Sequence, residues 1–377
     1  MWSPQYYKIN GLKNKYDDKL LEKAITQSER VLYSYYNLPS ILTLNHLAKR
    51  TGVGYNILRS IVSRHHMQLY KRFRIRKRSG GFRVILVPNQ DLKKVQMWMN
   101  KYILKDIPVH PASCAFKKGD SIQRCASRHC GAKWLIKFDI TDFFESISEI
   151  QVFRLFKELG YQPIIAVEMA RICTFPPSTK SPRNNYKQWH VWKQNKIIVD
   201  YKQKLLGYLP QGTPTSPILS NLIMRRCDEE LDQIAKKHKL TYTRYSDDII
   251  FSTRSKEFCR EYARKLIFDV YKILSSFGYR PQYRKTTLVP PSGKKIVLGL
   301  NIEGEMPRLQ KNYKDKIRQH LYYLRKFGIE EHVTNRGFNS IWGFKLHLKG
   351  MIDYAKMIDE EYAQKCYKSF FELDWPV

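Results

Sequence analysis

At 377 residues the chain is long enough for two or three modules built around sizeable cores. Its 43% hydrophobic content is ordinary for a globular protein and excludes global disorder. The charge is unusual, because 67 Lys and Arg against 34 Asp and Glu give a net charge of +33. Such a surplus is best tolerated beside a polyanion, which indicates nucleic acid or an anionic membrane as the partner.

Apolar segments, aromatic residues and cysteines narrow this choice. Because no long apolar run is found and the N-terminal stretch lacks the apolar centre of a signal peptide, we expect no membrane association and a cytoplasmic location. The 25 Tyr, 18 Phe and 7 Trp are interleaved with basic residues, as on surfaces that stack bases and hold phosphates. Seven cysteines without a CxxC pair indicate reduced thiols, and zinc binding by CASRHC (125–130) is the weaker interpretation.

The first predicted elements are basic and mostly helical. Residues 1–36 are charged and predicted helical, and residues 41–64 carry apolar side chains at helical spacing, broken by a Thr-Gly pair. The segment at 41–64 is either a helix–turn–helix module that reads DNA or two small helices packed on a larger fold. Residues 68–89 predict a basic hairpin with a Gly-containing turn, and residues 92–107 predict a helix.

The remaining chain alternates strands, turns and helices. Residues 133–148 begin as a buried strand and then turn helical, and residues 174–205 are Pro-rich and aperiodic, which predicts an exposed loop or insertion. The other predicted elements are a turn and long helix at 208–238, a helix near 257–277, short strands around 284–302 and a Lys-rich helical region from about 308.

The stretch TYTRYSDDIIFST (241–253) predicts a tight hairpin with Asp247 and Asp248 in its turn. Two such residues are by default a solvated turn. A third carboxylate, Asp139, ends the apolar strand in LIKFDITDFF. If it faces the turn, the cluster can hold two Mg²⁺ ions, which prefer carboxylate and phosphate oxygens and promote in-line phosphoryl displacement.

Four motifs, in order over roughly residues 70–305, resemble those of bacterial-type reverse transcriptases: FDITDFF, LPQGTPTSP, YSDD, and GYRPQYRKTTLV followed by VLGLNI. The resemblance implies an α+β right-hand polymerase with fingers, a palm built on an antiparallel sheet, and a helical thumb. The expected domains are an N-terminal helical segment at 1–67, fingers at 68–132, a palm at 133–305 that includes the 174–205 insertion, and an RNA-binding thumb at 306–377.

The resemblance also assigns roles to matching residues. Asp139 and Asp247 would be the main ligands of two Mg²⁺ ions, for which Mn²⁺ could substitute, with Asp248 a weaker ligand or an electrostatic support. Lys285 would protonate the leaving pyrophosphate or contact the RNA backbone. The expected dNTP-site residues are Arg83 with Lys77 or Arg76 as triphosphate grips, Phe144 against a ribose 2′-OH, and Gln211 with Gly212 beside the nucleotide.

Within the family the chain most resembles retron reverse transcriptases. CASRH (125–129) stands where retrons carry NAxxH, with Cys125 in place of Asn, and VLG (297–299) stands for VTG, with Leu298 in place of Thr. The resemblance implies a structured non-coding RNA of the protein's own, priming from a guanosine 2′-OH, single-stranded cDNA (msDNA) made from dNTPs, and an effector protein in antiphage defence. His129 either touches RNA, which we favour, or is a satisfied structural residue.

Several alternatives remain at this point. A group II intron protein would need more chain after the thumb, and a diversity-generating enzyme usually has Gln in place of Pro217. Another bacterial defence polymerase, which could be untemplated, and a catalytically silent RNA-binding protein on a polymerase fold stay open. The sequence leaves the RNA, the priming nucleotide, the effector and the oligomeric state, including a homo-oligomer, undetermined.

Overall fold

The computed structural model describes residues 3–34, 36–64, 69–76, 80–176 and 206–376. Its N-terminal part is helical as predicted, with α1 at Pro4–Lys13, α2 at Asp18–Leu32, α3 at Leu44–Thr51 and α4 at Tyr55–Ser63. The Thr43 hydroxyl caps the start of α3, and Gly52 at φ 64° ends it. Leu58 and Ile61 are 0% and 2% exposed and belong to the core of the central sheet. The α3–α4 pair is therefore packed on the larger fold.

The predicted basic hairpin is present. Its strands are β1 at Tyr70–Arg76 and β2 at Phe82–Pro88. They are followed by α5 at Gln90–Met99, a π-helical turn at Asn100–Leu104 and α6 at Ile122–Ser127. β1 and β2 are antiparallel, and β1 is almost entirely exposed. A two-stranded ribbon is marginally stable by itself. The amide of Leu86 anchors it to the following domain by donating to the Gln211 carbonyl at 2.7 Å.

A four-stranded antiparallel sheet forms the centre of the molecule. Its order is β4-β5-β3-β6, with β3 at Trp134–Asp139, β4 at Thr241–Tyr245, β5 at Asp248–Thr253 and β6 at Thr287–Val289. Four helices cover one face: α7 at Glu149–Glu158, α8 at Pro163–Cys173, α9 at Ser216–Lys237 and α10 at Arg260–Ser276. Side chains alternate across β3, so Ile136 and Phe138 enter this core while Leu135 enters a second one.

The segment after β3 differs from the prediction. Residues 141–147 form turns, and α7 begins only at Glu149, so the expected helix directly after the strand was wrong. Asp142 has a φ of 47°, a left-handed conformation that an α-helix of L-residues does not contain. The helix starts where Ser148 and Gln151 form a capping box.

The predicted insertion at 174–205 lies outside the described residues from 177 onward. The chain on its two sides is held together, because Phe175 and Tyr208 exchange backbone hydrogen bonds of 2.8 and 3.0 Å. The buried carboxylate of Glu149 reinforces this contact by accepting from the Gly207 amide at 2.9 Å.

The C-terminal region is mostly helical, as predicted. A small sheet precedes the helices, with β7 at Ile296–Val297, β8 at Leu300–Asn301, β9 at Arg308–Leu309, α11 at Lys311–Phe327, α12 at Ile329–Asn335, α13 at Ile341–Ile358 and α14 at Glu360–Phe371. These helices build the second core around Leu321, Phe344 and Phe370, and Ile250 of β5 joins it. Within the described ranges, none of the helices has the length and apolar content that a membrane crossing requires.

Candidate active site

The three predicted aspartates meet at one end of the central sheet. β3 and β5 pair in a register that puts Asp139 directly opposite Asp248. Asp247 lies in the turn between β4 and β5, and its carbonyl accepts from the Ile140 amide at 3.2 Å. Asp248 is thus the first residue of β5, whereas the sequence had predicted it in the turn.

The electrostatics of this cluster are those of crowded, partly buried carboxylates. Burial, together with the charges of Asp247 and Asp139, raises the pKa of Asp248 to about 6. Burial also raises the pKa of Asp247, where Asp139 adds to the rise and the guanidinium of Arg83 opposes it. Lys137 and Lys285 lower the pKa of Asp248, but burial and the two neighbouring carboxylates outweigh them.

Lys285 forms an ion pair with the cluster. It ends a short 3₁₀ turn, Tyr283–Lys285, and its Nζ lies 2.8 Å from Oδ2 of Asp139. Hydrogen bonding to Asp139 raises the pKa of Lys285, so the ammonium form is favoured. The Gln282 amide also donates to the Asp139 carbonyl at 2.8 Å, which fixes the turn against the end of β3.

The donor set fits divalent metal ions, which reverse transcriptases generally use. Asp139, Asp247 and Asp248 supply hard carboxylate oxygens. The pKa of the last two is raised first by burial and then by the neighbouring like charges, which a cation would neutralise. In the described part of the chain, no three His, Cys, Asp or Glu side chains converge as ligands of one ion. Asp139, Asp247 and Asp248 would hold a divalent ion together with water and substrate phosphates.

A buried ion pair beneath the YSDD turn was missed by the sequence analysis. Arg244 is 0% exposed and forms a bidentate pair with Asp228 of α9, both N···O distances being 2.7 Å. Its remaining nitrogen donates to the Asn221 side chain and to the Ser246 carbonyl, each at 3.1 Å. Arg244 therefore fixes the residue that immediately precedes Asp247. The available signal was Asp228, an acid on the apolar face of an amphipathic helix.

The LPQGTPTSP segment touches the basic hairpin rather than standing free. Gly212 has a φ of 105°, and a Cβ there would lie 2.7 Å from Cγ2 of Ile85 and 3.0 Å from the Leu86 carbonyl. Only glycine fits this approach. Gln211 is half-buried, and its carbonyl is the acceptor for the Leu86 amide. The motif thus joins the hairpin that carries Arg83 to the sheet that carries the aspartates.

The other predicted dNTP residues are distributed around the same end. Phe144 is half-buried, with ring centroids 5.4 Å from Phe143 and 6.3 Å from Phe116. Arg83 is exposed on β2, close enough to affect the pKa of Asp247. Arg76 is exposed at the end of β1, and its alternative, Lys77, lies outside the described residues.

His129 is not placed for contact with RNA, so our favoured role for it was wrong. It is 1% exposed, and both ring nitrogens are hydrogen-bonded at 2.7 Å, Nδ1 to the Ser252 hydroxyl and Nε2 to the Thr243 hydroxyl. Burial, with the nearby charge of Arg128, lowers the pKa of His129 to about 3, so the ring is neutral. It links the two strands of the catalytic hairpin, and the cysteines of the same run are buried free thiols.

Known proteins match this chain over most of its length. A family described as "Reverse transcriptase (RNA-dependent DNA polymerase)" matches residues 75–302. The chain is 28% identical to the Retron Mx65 reverse transcriptase of Myxococcus xanthus, over 88% of this chain and 71% of that protein. It is 30% identical to the Retron Ec73 reverse transcriptase of Escherichia coli, over 81% of this chain and 88% of that protein.

Among solved structures, a telomerase from Candida albicans is similar with a TM-score of 0.39 and 13% identity, over 80% of this chain and 62% of the telomerase. The family match covers β2 of the hairpin, the three aspartates and Lys285. The structure brings the aspartates and Lys285 to one end of the central sheet. The chain belongs to the retron reverse transcriptases, which are RNA-directed DNA polymerases.

Proposed function

We propose that this protein copies part of its own structured non-coding RNA into single-stranded DNA by two-metal nucleotidyl transfer. Synthesis would start from the 2′-OH of a guanosine in that RNA and leave a branched RNA–DNA product, msDNA. The observation that carries the proposal is the cross-strand pair Asp139–Asp248, with Asp247 in the adjoining turn and Lys285 Nζ 2.8 Å from Asp139. Relatives named as retron enzymes support the choice of template and product.

In the proposed reaction a hydroxyl oxygen attacks the α-phosphorus of a dNTP and releases its proton to solvent, and the bond from that phosphorus to the pyrophosphate oxygen breaks. Asp139, Asp247 and Asp248 would hold Mg²⁺, with Mn²⁺ as a substitute. The chemistry supplied by the bound ions is stabilisation of charge on the attacking and leaving oxygens. Lys285, whose pKa the hydrogen bond to Asp139 raises, would give its proton to the departing pyrophosphate.

Substrate binding would involve the hairpin and its junction with the palm. The exposed guanidinium of Arg83 offers a fork of donors to triphosphate oxygens, with Lys77 or Arg76 as the second grip. Phe144, whose ring packs against Phe143 and Phe116, would exclude a ribose 2′-OH. The backbone around Gly212 would set the distance between these groups.

The domain limits follow the same proposal: an N-terminal segment at 1–67, fingers at 68–132, a palm at 133–305 and a thumb at 306–377. The hydrophobic core under α11–α14 supports the thumb, and Leu135 and Ile250 join that core from the central sheet. The net charge of +33 supports a large RNA ligand, with binding that weakens steeply as salt rises. We place the activity in the cytoplasm, where the free cysteines would remain reduced, and in antiphage defence with an effector protein.

The test is a gel of nucleic acid that co-purifies with the protein expressed from its native locus. A discrete single-stranded DNA whose mobility changes after treatment with RNase and debranching enzyme is expected. Asp247→Asn should reduce DNA synthesis at least about 10³-fold, because several kcal/mol of charge stabilisation are lost. RNA without DNA, despite activity on an added primer–template, would contradict the retron product and leave the polymerase site standing. Full synthesis by Asp247→Asn would refute the site itself.

A further inference from the structure

A cavity of about 420 Å³ lies at the end of the central sheet that is opposite the aspartates. Ser252, Thr253, Arg254 and Ser255, at and beyond the end of β5, form one wall. The strand begins at Asp248, so at about 3.3 Å per residue the cavity is roughly 15 Å from the catalytic cluster. We propose that this cavity binds a phosphate group of an RNA backbone outside the polymerase site.

The lining has the chemistry of an anion site. Arg128, Lys239 and Arg254 bring three positive charges to one concave surface, and the hydroxyls of Thr241 and Ser255 add hydrogen-bonding groups. The described residues that line the cavity include no Asp or Glu. A concave wall of one sign of charge concentrates the field and attracts anions.

Both guanidinium groups are held in place by the backbone. Arg254 Nε donates to the Cys130 carbonyl at 3.0 Å, and Arg128 Nη1 donates to the Pro111 carbonyl at 2.9 Å. One N–H of each is used in this way, and the other donors have no protein partner in the described part of the chain. Prefixed guanidinium forks of this kind suit the oxygens of a phosphate group.

Lys239 completes the site from a different direction. It is exposed and follows the end of α9 with a φ of 53°, a conformation in which glycine or asparagine is usual after a helix. This backbone conformation is unfavourable for lysine, yet Lys239 occupies it and lines the cavity. The flexible side chain of Lys239 would first attract a phosphate group, and the fixed guanidinium groups of Arg128 and Arg254 would then orient it.

This arrangement gives the CASRHC run a second role. His129 is buried in the cavity wall, where its hydrogen bond positions Ser252. The preceding residue, Arg128, contributes a positive charge to the lining of the cavity. The run would then act on the ligand through Arg128. Identifying the ligand as RNA rests on the proposed function, because that function supplies a structured RNA larger than the polymerase cleft.

The test compares Lys239→Gln and Arg254→Gln with Lys237→Gln, which removes the same charge from an exposed site on α9 outside the cavity. The probe is a fluorescein-labelled RNA hairpin with a single-stranded tail, titrated at several salt concentrations. Each cavity variant should weaken binding about tenfold and lower the salt slope by about 0.7–0.9. The control should keep the affinity and slope of the wild type. Equal behaviour of all three variants would overturn the proposal.

Two further measurements separate the other outcomes. Adenosine 5′-monophosphate that binds the wild type but not Lys239→Gln, while all variants keep the wild-type affinity for the hairpin, would keep the phosphate site and overturn RNA as its ligand. Extension of oligo(dT) on poly(rA) should be the same for wild type and variants, because the cavity is remote from the aspartates. Failure of the wild type to extend this primer would count against the proposed function, and the binding comparison would still decide the cavity.

Discussion

Replacing Asp228 with asparagine tests the buried ion pair beneath the YSDD turn. The substitution keeps the shape of the side chain, removes its charge and leaves the Arg244 guanidinium, which is 0% exposed, without a counter-ion. Two of the four hydrogen bonds made by that guanidinium end on the lost carboxylate, each 2.7 Å long. Tyr242, whose hydroxyl donates to the same carboxylate at 2.7 Å, loses a charged acceptor as well.

The expected loss of unfolding free energy is about 3–5 kcal/mol, the usual effect of removing one member of a buried ion pair. Unfolding entropy is about 2.1 cal/mol/K per residue, so for a chain of this length the loss corresponds to a fall in Tm of roughly 4–6 °C. DNA synthesis should be reduced even at temperatures well below the new Tm, because Arg244 also holds the Ser246 carbonyl next to Asp247.

Thermal unfolding followed by circular dichroism measures this change, with Glu230→Gln as the matched control on the exposed face of the same helix. The double variant Asp228→Leu/Arg244→Met should recover most of the stability, because an apolar pair carries no uncompensated charge. It should not recover the activity, since the bond to Ser246 is gone. A Tm for Asp228→Asn within about 1 °C of the control would refute the reasoning.

Three shorter predictions concern the rest of the site. Gly212→Ala should lower the free energy of unfolding by about 1–3 kcal/mol more than Gly278→Ala, because both glycines have positive φ but only the first would bring a Cβ against β2. Equal losses of unfolding free energy in denaturant would contradict the close approach. Lys285→Ala should change Tm little, since its side chain is 55% exposed, and should slow nucleotide addition about 10²–10⁴-fold; an unchanged single-turnover rate would exclude the general acid. His129 has a pKa of about 3 against 6.5 for an ordinary histidine, so the stability that its neutral form contributes is present above pH 6.5 and lost as pH falls towards 3. His129→Gln should flatten that part of the pH–stability curve and His238→Gln should not; identical curves would show that protonation of the buried ring is not responsible.

The meeting of the aspartates could be predicted because it depends on strand ends and a tight turn. The apolar run before Asp139 predicted a central strand, and the strand-forming residues around Asp247 and Asp248 predicted a hairpin. Those two elements pair in the structure, and the register then brings the carboxylates together. The contact between Gly212 and the basic hairpin was beyond such a prediction, since it joins segments that are distant in the chain and depends on a backbone angle.

Other misses have equally specific physical reasons. A period of 3.6 residues cannot report the φ of 47° at Asp142, which delays the helix to Glu149. His129 could not be assigned from its run, because the hydroxyls that satisfy it are on β4 and β5. The Arg244–Asp228 pair left a trace in the sequence, an acid on the apolar side of α9, but choosing its partner required the fold.

The backbone bonds between Phe175 and Tyr208 have a consequence for how this chain tolerates change over evolution. Because these bonds and Glu149 hold Phe175 beside Tyr208, the two described ends of the chain meet at one place. Doubling the length of chain between two such fixed points costs only about 0.6 kcal/mol of closure entropy. A change in length between Phe175 and Tyr208 should therefore leave the aspartates in register.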